Sequence, residues 1–168
     1  MRVFGPSFFM IKVVDNFLTN EEMEEICKYL YEANWRVQCS SPQATSQFLM
    51  WEVSKINYFN TYLFNRVKKE LNFKYSLQRA YFNGQWFGMD GQFHTDGCET
   101  TCLIYISGYE NDWGGFTQIL TSETTQEIIA PVQGRLVSFP GNWEHKAYAY
   151  SYQSCPMRIS LAFKCVDS

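Results

Sequence analysis

The chain has 168 residues, a formal net charge of -3 and a sequence pI near 5.4. Its length suits one domain with a sizeable core, and 46% hydrophobic with 18% aromatic residues excludes a disordered chain. The absence of a basic run excludes nucleic acid as the principal partner, and no apolar run approaches the roughly 18 residues of a membrane span.

Met1-Arg2-Val3-Phe4-Gly5-Pro6 lacks the apolar stretch of a secretory signal, so a cytoplasmic protein is expected. Residues 8–18 predict a first strand running into a turn. Thr19 and Glu22 then fit a capping box, and Met23, Ile26, Cys27, Leu30 and Tyr31 recur at helical spacing, which predicts a helix over 20–33. Residues 34–45 read as a loop. A second helix is expected over 46–70, with Phe48, Leu49, Val53, Ile56, Phe59, Leu63 and Val67 on its buried side and Arg66, Lys68 and Lys69 on a solvated face near its end.

From residue 75 the pattern changes to short β segments separated by Gly, Asn and Asp. They fall at 75–83, 91–96, 100–107, 115–120, 126–132, 135–139, 145–150 and 157–165. The expected architecture is mainly β with supporting α-helices, an α+β chain in which a jelly-roll-like double sheet carries two N-terminal helices on one sheet. A single domain over 1–168 is expected, with the N-terminal strand and supporting helices in 1–74 and the β core in 75–168. A monomer or weak homo-oligomer is expected. The six cysteines (Cys27, Cys39, Cys98, Cys102, Cys155, Cys165) contain no C-x-x-C pair and read as reduced thiols in or near core strands; a zinc role for Cys98 and Cys102 stays open.

Both histidines of the chain fall in chemically suggestive settings. His94 and Asp96 are one residue apart, so on an extended strand their side chains point the same way, and His145 follows 49 residues after Asp96. Two imidazoles and a carboxylate form the facial triad that holds non-haem Fe(II) and leaves positions open. Arg158 stands 13 residues beyond His145, with Ser160 at alternate spacing, and its planar fork suits a carboxylate gripped bidentately. Iron plus a carboxylate-bearing cosubstrate is the reading that joins them.

The residues that carry a family likeness are Arg79-Ala80-Tyr81-Phe82-Asn83-Gly84, His94-Thr95-Asp96, Thr101-Cys102-Leu103-Ile104-Tyr105, Trp113-Gly114-Gly115, the run from Pro131 to Phe139, His145, and Arg158-Ile159-Ser160-Leu161. Over about 75–165 the chain resembles the Fe(II)/2-oxoglutarate-dependent dioxygenases, in their prolyl 4-hydroxylase-like branch. The resemblance implies a double-stranded β-helix, a cupin-like jelly-roll barrel of eight core strands. His94 and Asp96 would leave the second core strand, His145 would lie on the seventh and Arg158 on the eighth. It further implies Fe(II) held by His94, Asp96 and His145, with 2-oxoglutarate and O₂ as cosubstrates and ascorbate as a further candidate cofactor. Arg158 would pair with the distal carboxylate of 2-oxoglutarate, Tyr105 would donate to it, Tyr81 would lie near the cosubstrate or the iron-facing wall, and Ser160 would be an extra donor. Halogenating relatives lack the carboxylate that Asp96 supplies, so the resemblance implies hydroxylation. Collagen-type enzymes use a lysine where this chain has Arg158, which places it nearer the arginine-using hydroxylases.

The implied activity is hydroxylation of a substrate C–H with decarboxylation of 2-oxoglutarate to succinate and CO₂. The implied substrate is a peptide or protein, with proline as the residue. Hydroxylation of another side chain or a small molecule is the first alternative; a metal-retaining jelly roll that binds without oxidising is the second; zinc-dependent hydrolysis is the third. Trp86 and Phe87, in the segment from Gln85 to Gly91, are expected either at the site entrance touching substrate or in the core.

Overall fold

The computed structural model describes residues 10–39 and 46–168. Residues 8 and 9 of the expected first strand and 40–45 of the expected loop lie outside these; of the first strand, Lys12–Val14 is β1.

Helix α1 (Asn20–Tyr31) begins as the capping box predicts. Thr19 Oγ1 accepts from the Glu22 backbone N–H at 3.2 Å, and Glu22 Oε2 accepts from the Thr19 N–H at 2.9 Å. Met23, Ile26, Tyr29 and Leu30 pack inward, whereas Cys27 and Tyr31, expected on the same stripe, face solvent. Each follows a core position by one residue and so sits about 100° further round the helix.

The stretch after α1 departs from expectation. Arg36–Cys39 in the expected loop is strand β2, and Gln47–Glu52 in the expected second helix is strand β3. The continuous apolar run Phe48-Leu49-Met50-Trp51 suits a helix or a half-buried strand equally, and pairing decides it. β3 bonds β2 on one side and β4 (Ser76–Gln85) on the other, with Trp51 opposite Phe82 and their rings stacked at 5.6 Å. Helix begins only at Tyr58–Leu63, a π-helical turn running into α2 (Phe64–Leu71). Phe59, Leu63, Val67 and Leu71 are buried at four-residue spacing, and Asn72 ends the helix in the left-handed conformation. Arg66, expected on the solvated face, instead bonds the buried carboxylate of Glu22 and the Phe17 carbonyl.

The remaining strands are β5 (Thr100–Tyr105), β6 (Thr117–Leu120), β7 (Gln126–Ile129), β8 (Leu136–Pro140), β9 (His145–Ala147) and β10 (Arg158–Val166). All pair antiparallel, in one sheet of order β1-β8-β5-β10-β4-β3-β2 and one of order β7-β6-β9. Thus β1, β2 and β3 from the N-terminal part extend the large sheet. The expected strand at 91–96 is not regular: His94 makes a single bridge to His145, and the Asp96 N–H bonds the Gly141 carbonyl at 2.7 Å instead of continuing a ladder. The two sheets therefore face each other without closing into the expected barrel, because the backbone at the join is given over to placing His94 and Asp96.

Strand alternation separates two cores. Ala80, Phe82, Ile104, Leu161, Phe163 and Cys165 face the helices and pack with Ile26, Phe59, Leu63 and Val67. On the opposite face Leu103, Tyr105, Val137, Phe139 and Ala162 meet Ile119 and Ile129 of the small sheet. That inner face also carries the chemistry.

Candidate metal centre

His94, Asp96 and His145 converge, with one ligand atom from each lying within 4.8 Å of the others. His94 Nε2 is 3.7 Å from Asp96 Oδ1, and His145 Nε2 is 3.3 Å from Asp96 Oδ2. The backbones fix this, because His94 N–H bonds the His145 carbonyl at 3.1 Å and His145 N–H bonds the His94 carbonyl at 2.9 Å. The Nδ1 of His94 lies 2.9 Å from the Gln92 carbonyl, and that of His145 lies 2.9 Å from the Trp143 carbonyl. A carbonyl can only accept, so each Nδ1 carries a proton, and each Nε2 is the nitrogen turned toward Asp96 and a metal.

Burial raises the Asp96 carboxyl pKa, but the His145 imidazole and the Lys164 ammonium outweigh it and hold the group well below the usual carboxylate range. Burial and the neighbouring His145 depress His94, so its imidazole is neutral at neutral pH. Both states are those that ligate. Thr101 Oγ1 donates to Asp96 Oδ2 at 2.5 Å, and Lys164 Nζ donates to the same oxygen.

Arg158 opens β10 and is fully buried. Its Nε donates to the Gly115 carbonyl at 2.7 Å, Nη1 to Gln85 Oε1 at 2.9 Å and Nη2 to Thr117 Oγ1 at 3.1 Å. Among the described residues no carboxylate forms an ion pair with it. A buried guanidinium has five N–H donors, and three are accounted for. Two remain for an anion, which such a desolvated charge favours strongly.

The other sequence-derived residues share this face. The Tyr105 hydroxyl is buried and donates to Thr117 Oγ1 at 2.8 Å, with its ring centroid 5.4 Å from the Arg158 Cζ. Burial pushes its phenol pKa up, so it stays protonated. Ser160 is buried opposite Tyr105 and Asn83. Tyr81 lies toward the metal end, its ring 4.6 Å from Arg79 Cζ and 5.7 Å from Lys164 Nζ. Cys102 is buried among the helix-facing side chains and stands apart from the histidines, and Cys98 lies 3.5 Å from Thr101 Oγ1. Trp86 and Phe87 are half-exposed in the turn after β4, and Phe87 lines an open cleft of about 630 Å³ with Phe116, Ile128, Tyr148 and Tyr150.

Gln85, Thr101, Thr117 and Lys164 escaped the sequence reading. For Lys164 the signal was present: Arg158, Ser160, Ala162 and Lys164 alternate along one strand and so share a face. For Gln85 and Thr117 the signal lies only in cross-strand register, Gln85 opposite Arg158 and Thr117 opposite Ala147.

No family model and no curated protein matches the chain in sequence. Solved structures do match in fold. An oxidoreductase of the 2OG-Fe(II) oxygenase family from Burkholderia pseudomallei superposes with a TM-score of 0.76 at 11% identity, over 93% of this chain and 84% of that one. A prolyl hydroxylase from Trichoplax adhaerens, in complex with a hypoxia inducible factor oxygen degradation domain peptide, gives 0.74 at 16% identity over 94% and 83%. HygX from Streptomyces hygroscopicus, with nickel, 2-oxoglutarate and hygromycin B bound, gives 0.72 at 11% identity over 96% and 84%. The chain has the fold of the 2OG-Fe(II) oxygenases, prolyl hydroxylases among them.

Proposed function

We propose that the chain is an Fe(II)- and 2-oxoglutarate-dependent dioxygenase that hydroxylates a peptide or protein, with proline as the residue modified. One observation carries the reading: a His94–Asp96–His145 triangle sits beside a buried Arg158 that has no carboxylate partner among the described residues. The donor chemistry fits ferrous iron, since two imidazoles and one carboxylate are the facial set that leaves coordination positions free. The spacing fits a short diacid. Thr117 beside Arg158 is the register partner of Ala147, and His145 lies two residues along β9, roughly 7 Å away. When bound, iron with 2-oxoglutarate and O₂ supplies the oxidising power for C–H hydroxylation, releasing succinate and CO₂.

The chain's own residues hold and orient. His94, Asp96 and His145 are the metal ligands, and Arg158 grips the distal carboxylate with its two remaining N–H groups. Thr117 Oγ1 accepts from both Tyr105 and Arg158, so its own hydroxyl proton is free to point at that carboxylate. Through the same hydrogen bond Tyr105 orients Thr117. Leu103, Ile119 and Ala162 keep water from the inner face, and Ser160 and Tyr81 line its two ends.

The peptide substrate is supported by likeness to a prolyl hydroxylase with its peptide, and the exposed aromatics Trp86, Phe87 and Phe93 offer apolar contact beside the ligand-bearing segment. A small-molecule substrate is the second reading, supported by the likeness to an enzyme holding hygromycin B. The test is succinate formation by purified protein with Fe(II) and 2-oxoglutarate, across peptides that include Pro-rich sequences and a set of small molecules, with mass spectrometry for a gained oxygen. An oxidised prolyl peptide is the expected result. An oxidised small molecule with every peptide unchanged moves the substrate to the second reading. Succinate no higher than in iron-free or zinc-loaded controls overturns the oxygenase reading.

A further inference from the structure

Lys164 is the second buried cation on the inner face, and the proposed reaction gives it no task. Its ammonium donates to Asp96 Oδ2 and lies 3.4 Å from Thr101 Oγ1, which donates to the same oxygen at 2.5 Å. A carboxylate oxygen offers about two lone-pair directions. Lys164 and Thr101 occupy those of Oδ2, which His145 Nε2 also approaches to 3.3 Å; Oδ1, 3.7 Å from His94 Nε2, carries neither donor and is the one open to a metal.

We infer that Lys164 is a positioning residue that competes with the metal for Asp96: it holds Oδ2, restricts the aspartate to ligation through Oδ1, and keeps metal loading reversible. The inference rests on the metal reading above. Two physical consequences follow. Without metal, the buried carboxylate is neutralised by Lys164, so the ligand set stays ordered. With metal, the ammonium remains one carboxylate away from a dication, and the repulsion between like charges at such separation is strong in a poorly hydrated site. Occupancy then tracks the free metal concentration instead of being permanent.

Removing the charge while keeping a donor isolates this effect, which makes Lys164→Gln the primary variant; Lys164→Met removes both, and Lys164→Arg keeps the charge. Metal-free proteins are titrated with Co(II), reading its visible d–d absorption and the thermal midpoint. The wild type is expected to bind Co(II), and Lys164→Gln and Lys164→Met to bind at least about tenfold tighter. The cobalt spectrum should change in Lys164→Met as Oδ2 becomes available. Lys164→Arg should stay near the wild type. The metal-free Lys164→Gln protein should melt lower than the wild type, and saturating Co(II) should close the gap. Equal or weaker Co(II) binding by Lys164→Gln and Lys164→Met overturns the inference while leaving the metal centre in place. A wild type that binds no Co(II) removes the metal reading and this inference with it.

Discussion

In the proposed centre His94, Asp96 and His145 each offer one ligand atom, so alanine at any of them removes one of three. We expect each variant to lose Fe(II) or Co(II) binding and succinate formation together; full 2-oxoglutarate decarboxylation by any of them contradicts the assignment. In the proposed reaction Arg158 holds 2-oxoglutarate. Leaving an anion without its buried partner costs about 3–5 kcal/mol, so Arg158→Ala should raise the 2-oxoglutarate requirement at least a hundredfold. Co(II) binding should persist in that variant, because no triad atom is touched. Arg158→Lys should resemble it, since an ammonium cannot span Gln85, Thr117 and the Gly115 carbonyl at once. An unchanged cosubstrate titration removes Arg158 from the site.

At the scale of an element, the loop entering β6 is shaped for Arg158. Gly115 has φ of +71°, and a Cβ there would lie 2.5 Å from Tyr150 Cδ1. Gly115→Ala should displace the carbonyl that anchors Arg158 Nε, weakening 2-oxoglutarate binding with little change in Co(II) affinity. Helix α1 carries a separate stabilising device. Burial raises the Glu22 pKa, but the Thr19 N–H, Arg66 and Tyr62 outweigh it, and the folded value lies below the ordinary one. A depressed folded pKa gives stability that is complete above the unfolded value, about 4.3, and is lost as pH falls through the folded one. Asp96 shifts in the same direction, so the metal-free protein should lose thermal stability below roughly pH 4.5. Glu22→Ala removes the side-chain half of the capping box and the carboxylate partner of Arg66, which keeps the Phe17 carbonyl, and should cost about 1–2 kcal/mol at neutral pH in a denaturant titration.

For the whole molecule, the two cores make the fold independent of metal: the helix-backed core lies on the far face of the large sheet, and Lys164 satisfies Asp96 on the near one. Chelation should leave the far-ultraviolet circular dichroism unchanged. Metal at a hundredfold over its dissociation constant should add about 2.7 kcal/mol, or roughly 5–10 °C in Tm. Loss of secondary structure on chelation contradicts this. No helix among the described residues is long and apolar enough to cross a membrane.

The sequence by itself determined what local chemistry encodes: the capping box at Thr19 and Glu22, the period-two strands from residue 76 onward, the H-x-D and later His, and the buried Arg158. Each is written in neighbouring residues or in a residue type too costly to bury without purpose. Only the tertiary structure decided that 47–52 is a strand, that 91–96 is not, that the sheets stay open, and that Thr117 and Gln85 join the site. These depend on which strand lies beside which and in what register. A run such as Phe48-Leu49-Met50-Trp51, or a threonine on β6, is the same text in any register, and only the neighbour that forms its hydrogen bonds gives it a face.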